Sequence, residues 1–320
     1  MAGELLTLDD EKPFAQYLIA GWKRQWSDGG EISGGLPQYL MEKLGARKIG
    51  EMGKEVSTRC YPFNVAGTHD AYRPGAAFRD GLPSKPMYRE NYFFDGGNGL
   101  IIFLGEEPWL RLDVYGQAFF QAIQELGIRQ TVAVEGYNGP APPELERSIN
   151  CVYSRPHMKE TLEKYGARFS DYGSDTRSGP TIGMALVTLA HFEYPDIEMF
   201  RLGSRAPMYP LSTPRNEQVA ILRDHKSFYD IMRRLKALFK LDIDLSDLRT
   251  KGDAESSQLR ELLERISASS PDAKRMIDMA RADFNFTPFV EHVELNPVLD
   301  STLDEIIKRM SGEGGNTVTQ

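Results

Sequence analysis

The regular alternation of short apolar runs with segments of helical spacing is the feature that most constrains this chain. Residues 100–104 are continuously apolar, as expected of a strand covered on both faces, and a glycine follows at once. The next apolar positions advance by three or four residues and form one stripe: Leu112, Tyr115, Phe119, Ala122 and Leu126. A buried strand followed by an amphipathic helix is the repeating unit of parallel sheets.

The same pairing recurs along the first 240 residues. We predict buried strands near residues 17–20, 131–134, 149–153 and 197–202, and helices over 112–126, 158–165 and 182–191. Another helix covers 32–44, and Pro37 suggests that its regular part begins near Leu36. Right-handed crossovers place helices on both faces of such a sheet. The prediction is an α/β fold, a three-layer α/β/α sandwich around a largely parallel sheet.

The character of the chain changes near residue 240, where we place a domain boundary. A long amphipathic helix after Pro214 completes a core domain of residues 1–240. Residues 241–310 form a charged helical extension with apolar stripes in 259–266 and 299–310. The extension is too charged to build a large core, so we expect its stripes to pack on the α/β domain or on another subunit. Residues 311–320 are predicted to be a disordered tail.

Composition narrows the classes of partner. The net charge of −8 has the wrong sign for a protein that binds the phosphate backbone, so nucleic acid is not expected. The two cysteines form no Cys-x-x-Cys and the five histidines are not spaced as metal ligands, so we predict no metal and no cofactor. No apolar stretch approaches the roughly 20 residues of a membrane span, and the acidic N-terminus lacks a secretory pattern. We expect a cytoplasmic protein.

Several short motifs occur in an order that is typical of one family. In chain order they are Gly21-Trp22 with Ser27-Asp28-Gly29-Gly30, Tyr72-Arg73-Pro74, Gly105-Glu106-Glu107-Pro108, Gly179-Pro180, Pro207-Met208-Tyr209 and residues 241–245. With these motifs the chain resembles the proteasome assembly chaperone 2 family over most of residues 15–250.

The resemblance implies a fold similar to that of purine nucleoside phosphorylases, which are α/β/α sandwiches. It also implies a protein partner and self-association, as a trimer or another small ring, since characterised members help to assemble proteasome rings. The chain departs from the family's pattern at two positions, and these limit how it is expected to bind its partner. The family's His-Thr-Arg-like cluster keeps only an arginine, Arg147, and Thr319 stands where members that dock on the proteasome carry a tyrosine. We therefore do not expect docking through the last residues of the chain.

Two loops at predicted strand ends contain the candidate ligand-binding residues. Asp28-Gly29-Gly30 could present backbone N–H groups to an anion, but it lacks a phosphate-loop motif, and a plain tight turn is the commoner outcome. Glu106 and Glu107, flanked by Gly105 and Pro108, lie where open α/β sheets bind ligands. They could act as a general acid or base or hold a metal, although complementing a helix dipole is the simpler interpretation.

Three tryptophans, Trp22, Trp26 and Trp109, flank these loops. They could anchor a protein interface, and core packing is the alternative. Tyr209, between Pro207 and Pro210, belongs to a predicted rigid turn and is a further candidate contact. Cys151 lies in an apolar strand and is expected to be an inert core thiol.

No set of residues in the sequence specifies a reaction, and with the resemblance this favours a non-enzymatic protein. We expect an assembly-chaperone-like protein that self-associates and presents its strand-end loops to a protein partner. The alternative is a small-molecule enzyme, a hydrolase or phosphorylase of nucleoside or acyl substrates that uses Asp28, Glu106 and Glu107. That alternative requires the three carboxylates to lie within about 10 Å of one another.

Overall fold

The computed structural model describes residues 5–26, 28–63, 74–171, 179–211 and 219–290. Met1–Phe289 form one compact unit and Val290–Gln320 form a second. Some predicted features lie outside the described residues: Ser27, Tyr72, Arg73, Pro214, the apolar stripe at 299–310 and the tail at 311–320. The predicted boundary near residue 240 stays a prediction.

The described strands are short at the margins of the sheet and long at its centre. They are β1 (Leu6–Leu8), β2 (Ala15–Lys23), β3 (Arg47–Met52), β4 (Phe78–Arg79), β5 (Leu82–Pro83), β6 (Tyr92–Asp95), β7 (Gly99–Glu106), β8 (Gln130–Gly139), β9 (Ile149–Tyr153), β10 (Arg168–Phe169), β11 (Glu198–Tyr209) and β12 (Val219–Ala220). In the described part of the chain, ten of them form one sheet in the order β1-β3-β6-β7-β2-β8-β11-β9-β10, with β12 paired to β11. Strands β4 and β5 form a separate hairpin.

The four central strands β7, β2, β8 and β11 run parallel to one another. Strand β6 pairs antiparallel with β7, and β9 pairs antiparallel with β11. The prediction of a largely parallel sheet therefore holds at the centre and is wrong at the margins. For β6 and β7 the cause is local, because residues 96–98 are too few for a crossover and the two strands must form a hairpin.

Helices cover both faces of this sheet. They are α1 (Ile32–Leu44), α2 (Lys54–Arg59), α3 (Leu112–Leu126), α4 (Met158–Lys164), α5 (Ile182–Glu193), α6 (His225–Phe239), α7 (Ser246–Ser269) and α8 (Pro271–Ala282). Alternation along β2 divides its side chains, because Leu18 and Trp22 enter a core covered by α3 and α5, whereas Ile19 enters one covered by α1 and α6. The predicted α/β fold, a large central sheet flanked by helices, is confirmed.

Helix α1 begins at Ile32, four residues before the position that Pro37 suggested. Its first turn lies against β2, where a Cβ on Gly21 would be 1.9 Å from the Ser33 carbonyl oxygen. The Ser33 hydroxyl accepts a hydrogen bond from the Trp22 amide at 2.9 Å. Tertiary contacts thus stabilise the turn that Pro37 weakens by removing a backbone donor.

The charged helices α7 and α8 pack on the rest of the compact unit. A third, smaller core joins Leu259 and Leu263 of α7 and Ile277 of α8 to Tyr209 and Val219. The apolar stripe predicted in 259–266 therefore faces the end of the sheet. Helix α6 begins at His225, where the Asp224 side chain accepts from the Ser227 amide. Helix α8 was not predicted.

Candidate functional site at the strand ends

The carboxyl ends of the four central strands meet at one edge of the sheet, because these strands are parallel. Trp22 at the end of β2 lies opposite Gly105 of β7, and Lys23 lies opposite Glu106. The loop after β2 leads to Asp28, and the loop after β7 begins with Glu107. Most candidate residues from the sequence therefore share this edge.

Trp22 and Gly105 lie beneath the surface of the edge. The Trp22 side chain is fully buried, and its indole Nε1 donates to the Tyr115 hydroxyl at 2.8 Å. A Cβ on Gly105 would lie 2.6 Å from Asn91 Oδ1, so only glycine leaves room for that side-chain amide. Both residues support the edge from below, and neither is exposed to a partner.

A buried hydrogen-bond network supports the end of β7. The Tyr61 hydroxyl donates to the Glu106 carbonyl at 2.6 Å, and the Tyr115 hydroxyl donates to Asn91 Oδ1 at 3.2 Å. The Glu106 amide donates to the same asparagine oxygen at 3.0 Å. Burial raises the pKa of both tyrosines well above its ordinary value, so their hydroxyls stay protonated as donors.

Asp28 caps the first turn of α1. Its Oδ1 accepts from the Ser33 amide at 2.7 Å and its Oδ2 from the Gly34 amide at 3.0 Å. Burial raises the pKa of Asp28 to about 6, and this effect outweighs the two amide hydrogen bonds, which lower it; the charges of Glu135 and Glu31 raise it further. Asp28 therefore exchanges its proton close to neutral pH.

Gly29 and Gly30 form a tight turn against the ends of β8 and α6. A Cβ on Gly29 would lie 2.4 Å from the backbone carbon of Tyr137. Gly30 has a φ of +66°, and a Cβ there would lie 2.8 Å from the Cβ of Asp224, whose amide donates to the Gly30 carbonyl at 3.0 Å. Both glycines are buried. This packing favours the plain turn over an anion-binding loop.

Glu106 and Glu107 engage different partners. Glu106 Oε2 accepts from Arg89 Nη1 at 2.7 Å and lies 3.5 Å from Arg24 Nη1. Glu107 Oε2 accepts from the Trp26 backbone amide at 2.7 Å. Burial raises the pKa of Glu107, and the charge of Glu135 adds to this. Glu107 thus ties the loop after β7 to the loop after β2, while arginines neutralise Glu106.

Glu135 on β8 is a buried carboxylate that the sequence analysis missed. Its charge raises the pKa of both Asp28 and Glu107. Its Oε2 accepts from Arg201 Nε at 2.5 Å, and its Oε1 accepts from the Gly183 amide at 2.7 Å. We name Asp28, Glu107, Glu135 and Arg201 the strand-end cluster. It contains two of the three predicted carboxylates. The third, Glu106, is outside the cluster and contacts Arg89 and Arg24 instead.

Two features of the sequence could have revealed Glu135. A glutamate directly follows the apolar run at 131–134, and an arginine interrupts the predicted strand at 197–202. A charge inside a buried strand needs a partner of opposite charge. Since β8 and β11 are adjacent in the sheet, Glu135 and Arg201 provide that partner for each other.

Tyr209 lies apart from the strand-end cluster. It belongs to the third core beside α7 and α8, and its hydroxyl donates to the Ala141 carbonyl at 2.8 Å. Burial raises the pKa of Tyr209 to about 12, so the hydroxyl remains protonated. It is a structural contact at the end of β11 and is not exposed to a partner.

A small cavity and a set of exposed apolar side chains border the strand-end cluster. The cavity has a volume of about 270 Å³ and is lined by Glu107, Pro108 and Trp109 on one side and by Pro180 and Ile182 on the other. Four exposed side chains, three of them aromatic, lie on the two strand-end loops and on the segment after α2. We name them the aromatic rim: Trp26 (83% exposed), Phe63 (59%), Leu110 (54%) and Trp109 (43%). The backbone amides of Trp109 and Leu110 donate to the Cys60 carbonyl, which draws the loops together.

A second buried charge pair lies behind the Gly30 turn. Arg147 Nε and Nη2 donate to the two oxygens of Asp224 at 2.8 and 3.1 Å, and both side chains are fully buried. Asp224 also accepts from the amide and the hydroxyl of Ser227 at the start of α6. Arg147, which the sequence analysis noted only as the remainder of a family motif, thus holds a helix cap.

The histidines and cysteines of the described chain have separate surroundings. Within the described residues, no group of three His, Cys, Asp or Glu side chains could hold a metal ion. His157, His191 and His225 bind separate partners, and His69 and His292 lie outside those residues. Burial raises the pKa of Cys151 to about 12, so its thiol stays protonated. No helix of the described chain is long and apolar enough to span a membrane.

The PAC2 family profile matches residues 24–263, most of the chain including both strand-end loops. The chain belongs to the PAC2 family. This confirms the predicted resemblance. A comparison with curated proteins finds no significant match.

Solved structures with the same fold include a proteasome-assembly chaperone homologue from Mycobacterium tuberculosis. Its TM-score is 0.60 at 15% identity, over 77% of this chain and 94% of that chain. A Corynebacterium glutamicum protein of unknown function has a TM-score of 0.62 at 12% identity, over 96% of this chain and 99% of that chain. PbaB, an archaeal proteasome activator from Pyrococcus furiosus, has a TM-score of 0.54 at 14% identity, over 82% of this chain and 99% of that chain. At these identities the similarity concerns the fold alone.

Proposed function

We propose that this chain is a non-enzymatic, assembly-chaperone-like protein of the PAC2 family that self-associates and presents the aromatic rim to a proteasome subunit. The observation that carries the proposal is the contrast at the strand ends. The carboxylates there are used in internal contacts with arginines and backbone amides, whereas Trp26, Trp109 and Leu110 are exposed. Exposed aromatic side chains on loops are typical anchors of protein interfaces.

The relatives support the choice of partner. One similar structure is that of a proteasome-assembly chaperone homologue, and another is that of an archaeal proteasome activator. Both are covered almost completely by the present chain. We therefore place the proposed partner among proteasome subunits and the protein in the cytoplasm. The trimer or small ring and the kinship with purine nucleoside phosphorylases remain part of this proposal.

Binding to purified proteasome core subunits from the same source tests the role of the rim. Trp26→Ala and Trp109→Ala should each weaken binding at least about 10-fold, as expected for aromatic anchors at an interface. Phe192→Ala is the matched control, because Phe192 is 77% exposed but lies at the far end of α5 from the strand-end cluster. If wild-type protein does not bind, or if all three variants bind as it does, the proposed role of the rim is wrong.

Sedimentation velocity on the full chain tests self-association. The proposal expects species heavier than the 36.1 kDa of one chain at micromolar concentration. A single species of monomer mass across the accessible concentration range contradicts the self-association, whatever the binding assay shows.

A second candidate function has one observation in its favour. Glu107, whose pKa burial raises, lines the 270 Å³ cavity beside the strand-end cluster, and perturbed carboxylates in a cavity are frequent in enzymes. The candidate is a hydrolase or phosphorylase of nucleoside or acyl substrates. In a thermal-shift screen, a nucleoside or acyl compound should then raise the melting temperature of wild-type protein and leave that of Glu107→Gln unchanged.

A further inference from the structure

The last segment of the compact unit, residues 284–289, packs against charged and aromatic side chains from three parts of the chain. We name this segment the strap. It forms neither helix nor strand. The side chains that hold it, which we name the cradle, are Glu146, Tyr165, Arg168, Arg233 and Arg234. The strap therefore has a defined binding site although it belongs to no sheet.

The cradle contacts alternate carbonyl oxygens of the strap. Arg168 Nη1 donates to the Asn285 carbonyl at 2.7 Å. Arg234 Nη2 donates to the Thr287 carbonyl at 3.2 Å, and Arg233 Nη1 donates to the Phe289 carbonyl at 3.3 Å. Alternate carbonyls of an extended chain point to the same side, so the cradle recognises backbone in a strand-like conformation. Recognition of this kind depends little on the side chains of the bound segment.

One side chain of the strap is nevertheless anchored. Phe289 is only 6% exposed, and its ring centre lies 5.3 Å from the Arg233 guanidinium and 5.2 Å from that of Arg234. The Tyr165 ring lies 6.0 Å away. The Phe289 amide donates to the Glu146 carboxylate at 3.2 Å. Two cations over one ring and a carboxylate on its amide form a pocket for a single aromatic residue.

The cradle is organised by contacts of its own. Glu146 forms ion pairs with both Arg233 and Arg234, which orients the two guanidinium groups toward the strap. Gly166 lies beside the Thr287 carbonyl of the strap, and its φ of +71° is a backbone conformation that favours glycine. Side-chain donors directed at a peptide backbone, together with one pocket for an aromatic ring, are typical of peptide-binding grooves.

We propose that the cradle is a docking site for an extended peptide with phenylalanine at its end, and that the strap of one copy of this chain docks in the cradle of another. The proposal rests on the self-association proposed above and assigns it to a segment. All recognised groups lie within Asn285–Phe289, a continuous stretch that any copy can supply. Asp283 is the C-cap residue of α8 and the strap begins directly after it, so backbone rotation at this junction redirects the strap. Exchange of an identical element is a common route to oligomers.

Peptide binding tests the cradle itself. A labelled peptide of residues 284–289 is titrated into the full chain carrying Phe289→Ala, in which the strap has lost its anchor. We expect saturable binding, lost when the last residue of the peptide is alanine, and about 10-fold or more weaker in wild type because the resident strap competes. Phe286→Ala is the matched control, because the Phe286 ring packs on Phe284, and this variant should bind the peptide as weakly as wild type. If the Phe289→Ala variant has the melting temperature of wild type and does not bind the peptide, the cradle is not a docking site.

The mass of the Phe289→Ala variant tests the exchange. If straps exchange between copies, Phe289→Ala should raise the dissociation constant of the oligomer at least about 10-fold, whereas the control Phe192→Ala should leave it unchanged. A wild-type oligomer that Phe289→Ala does not affect overturns the exchange and leaves the proposed function standing. A wild-type monomer overturns both the exchange and the proposed self-association, and the peptide titration still decides on the cradle.

Discussion

Two aspartates cap the first turns of two helices of this protein, and they differ in their charge partners. Asp28 caps α1 through the Ser33 and Gly34 amides, and Asp224 caps α6 through the Ser227 amide. Asp224 also has a guanidinium, that of Arg147, on both of its oxygens. Asp28 has no such partner among the described residues, and burial raises its pKa to about 6. A helix N-terminus alone does not offset the burial of a carboxylate, whereas a bidentate arginine supplies a full opposite charge.

The largest effect is expected from removing that arginine. Arg147→Ala leaves Asp224 buried without its counter-ion and should lower the free energy of unfolding by about 3–5 kcal/mol. Chemical denaturation measures it. Arg249→Ala is the control, because Arg249 is 70% exposed in its ion pair with Asp253 and should cost less than about 0.5 kcal/mol. Equal small losses in both variants would show that Asp224 does not need its partner.

Asp28 should make the stability depend on pH in a defined direction. Its pKa is about 6 in the folded chain against an ordinary 3.8, so the folded state binds this proton more tightly than the unfolded state. The stabilisation is complete below about pH 4 and is lost as the pH rises through about 6, by up to about 3 kcal/mol. The raised pKa of Glu107 acts in the same direction.

Unfolding measured from pH 4 to pH 7.5 checks this, with Asp28→Asn as the test variant. Its slope should be flatter than that of wild type, because residue 28 no longer titrates. Asp113→Asn is the matched control, since the Arg111 guanidinium lowers the pKa of Asp113 to about 2, outside this window. An Asp28→Asn profile parallel to wild type would falsify the assignment.

Gly30 joins the two helix starts and allows a smaller, sharper test. Gly30→Ala adds backbone strain at a φ of +66° and a contact of 2.8 Å with the Asp224 Cβ, so we expect a loss of about 2–3 kcal/mol. Gly45→Ala adds similar strain at a φ of +60° with nothing within 4 Å and should cost about 1 kcal/mol. The difference between the variants, measured by denaturation, reports the packing of Gly30 on Asp224. Equal losses of unfolding free energy in Gly30→Ala and Gly45→Ala would show that the packing of Gly30 on Asp224 does not contribute.

The smallest effect on stability is expected from the rim. Trp26 is 83% exposed, and its contact with Glu107 is made by its backbone amide, which any residue supplies. Trp26→Ala should therefore change the free energy of unfolding by less than about 0.5 kcal/mol. A larger loss in thermal denaturation would place Trp26 in the structural framework and weaken its assignment to the rim.

Periodic patterns predicted the elements of the core, because each strand or helix needs only local information. The run at 100–104 is part of β7, and the stripe from Leu112 to Leu126 coincides with α3. The helix predicted over 32–44 coincides with α1, but its regular part begins before Leu36, since the first turn is supported by contacts with Gly21, a residue of another element. Only the structure distinguishes buried Trp22 from exposed Trp26, four residues apart.

The candidate site was harder to predict than the fold. Asp28 and Glu107 were found from their positions after strands, but Glu135 joins them from a third strand, and its partner Arg201 lies on a fourth. Such pairings depend on the order of strands in the sheet, which short motifs do not encode. The cradle was missed for the same reason, because the residues that hold Phe289 come from separate segments.

The different surroundings of the tryptophans have a practical consequence. The chain has three, and one of them, Trp22, is shielded from solvent while its indole donates to a tyrosine hydroxyl. The other two flank the same loop edge and are open to water. Collisional quenchers such as iodide should therefore extinguish only part of the intrinsic fluorescence, and a molecule that covers this edge should protect that part, giving a label-free optical titration of occupancy.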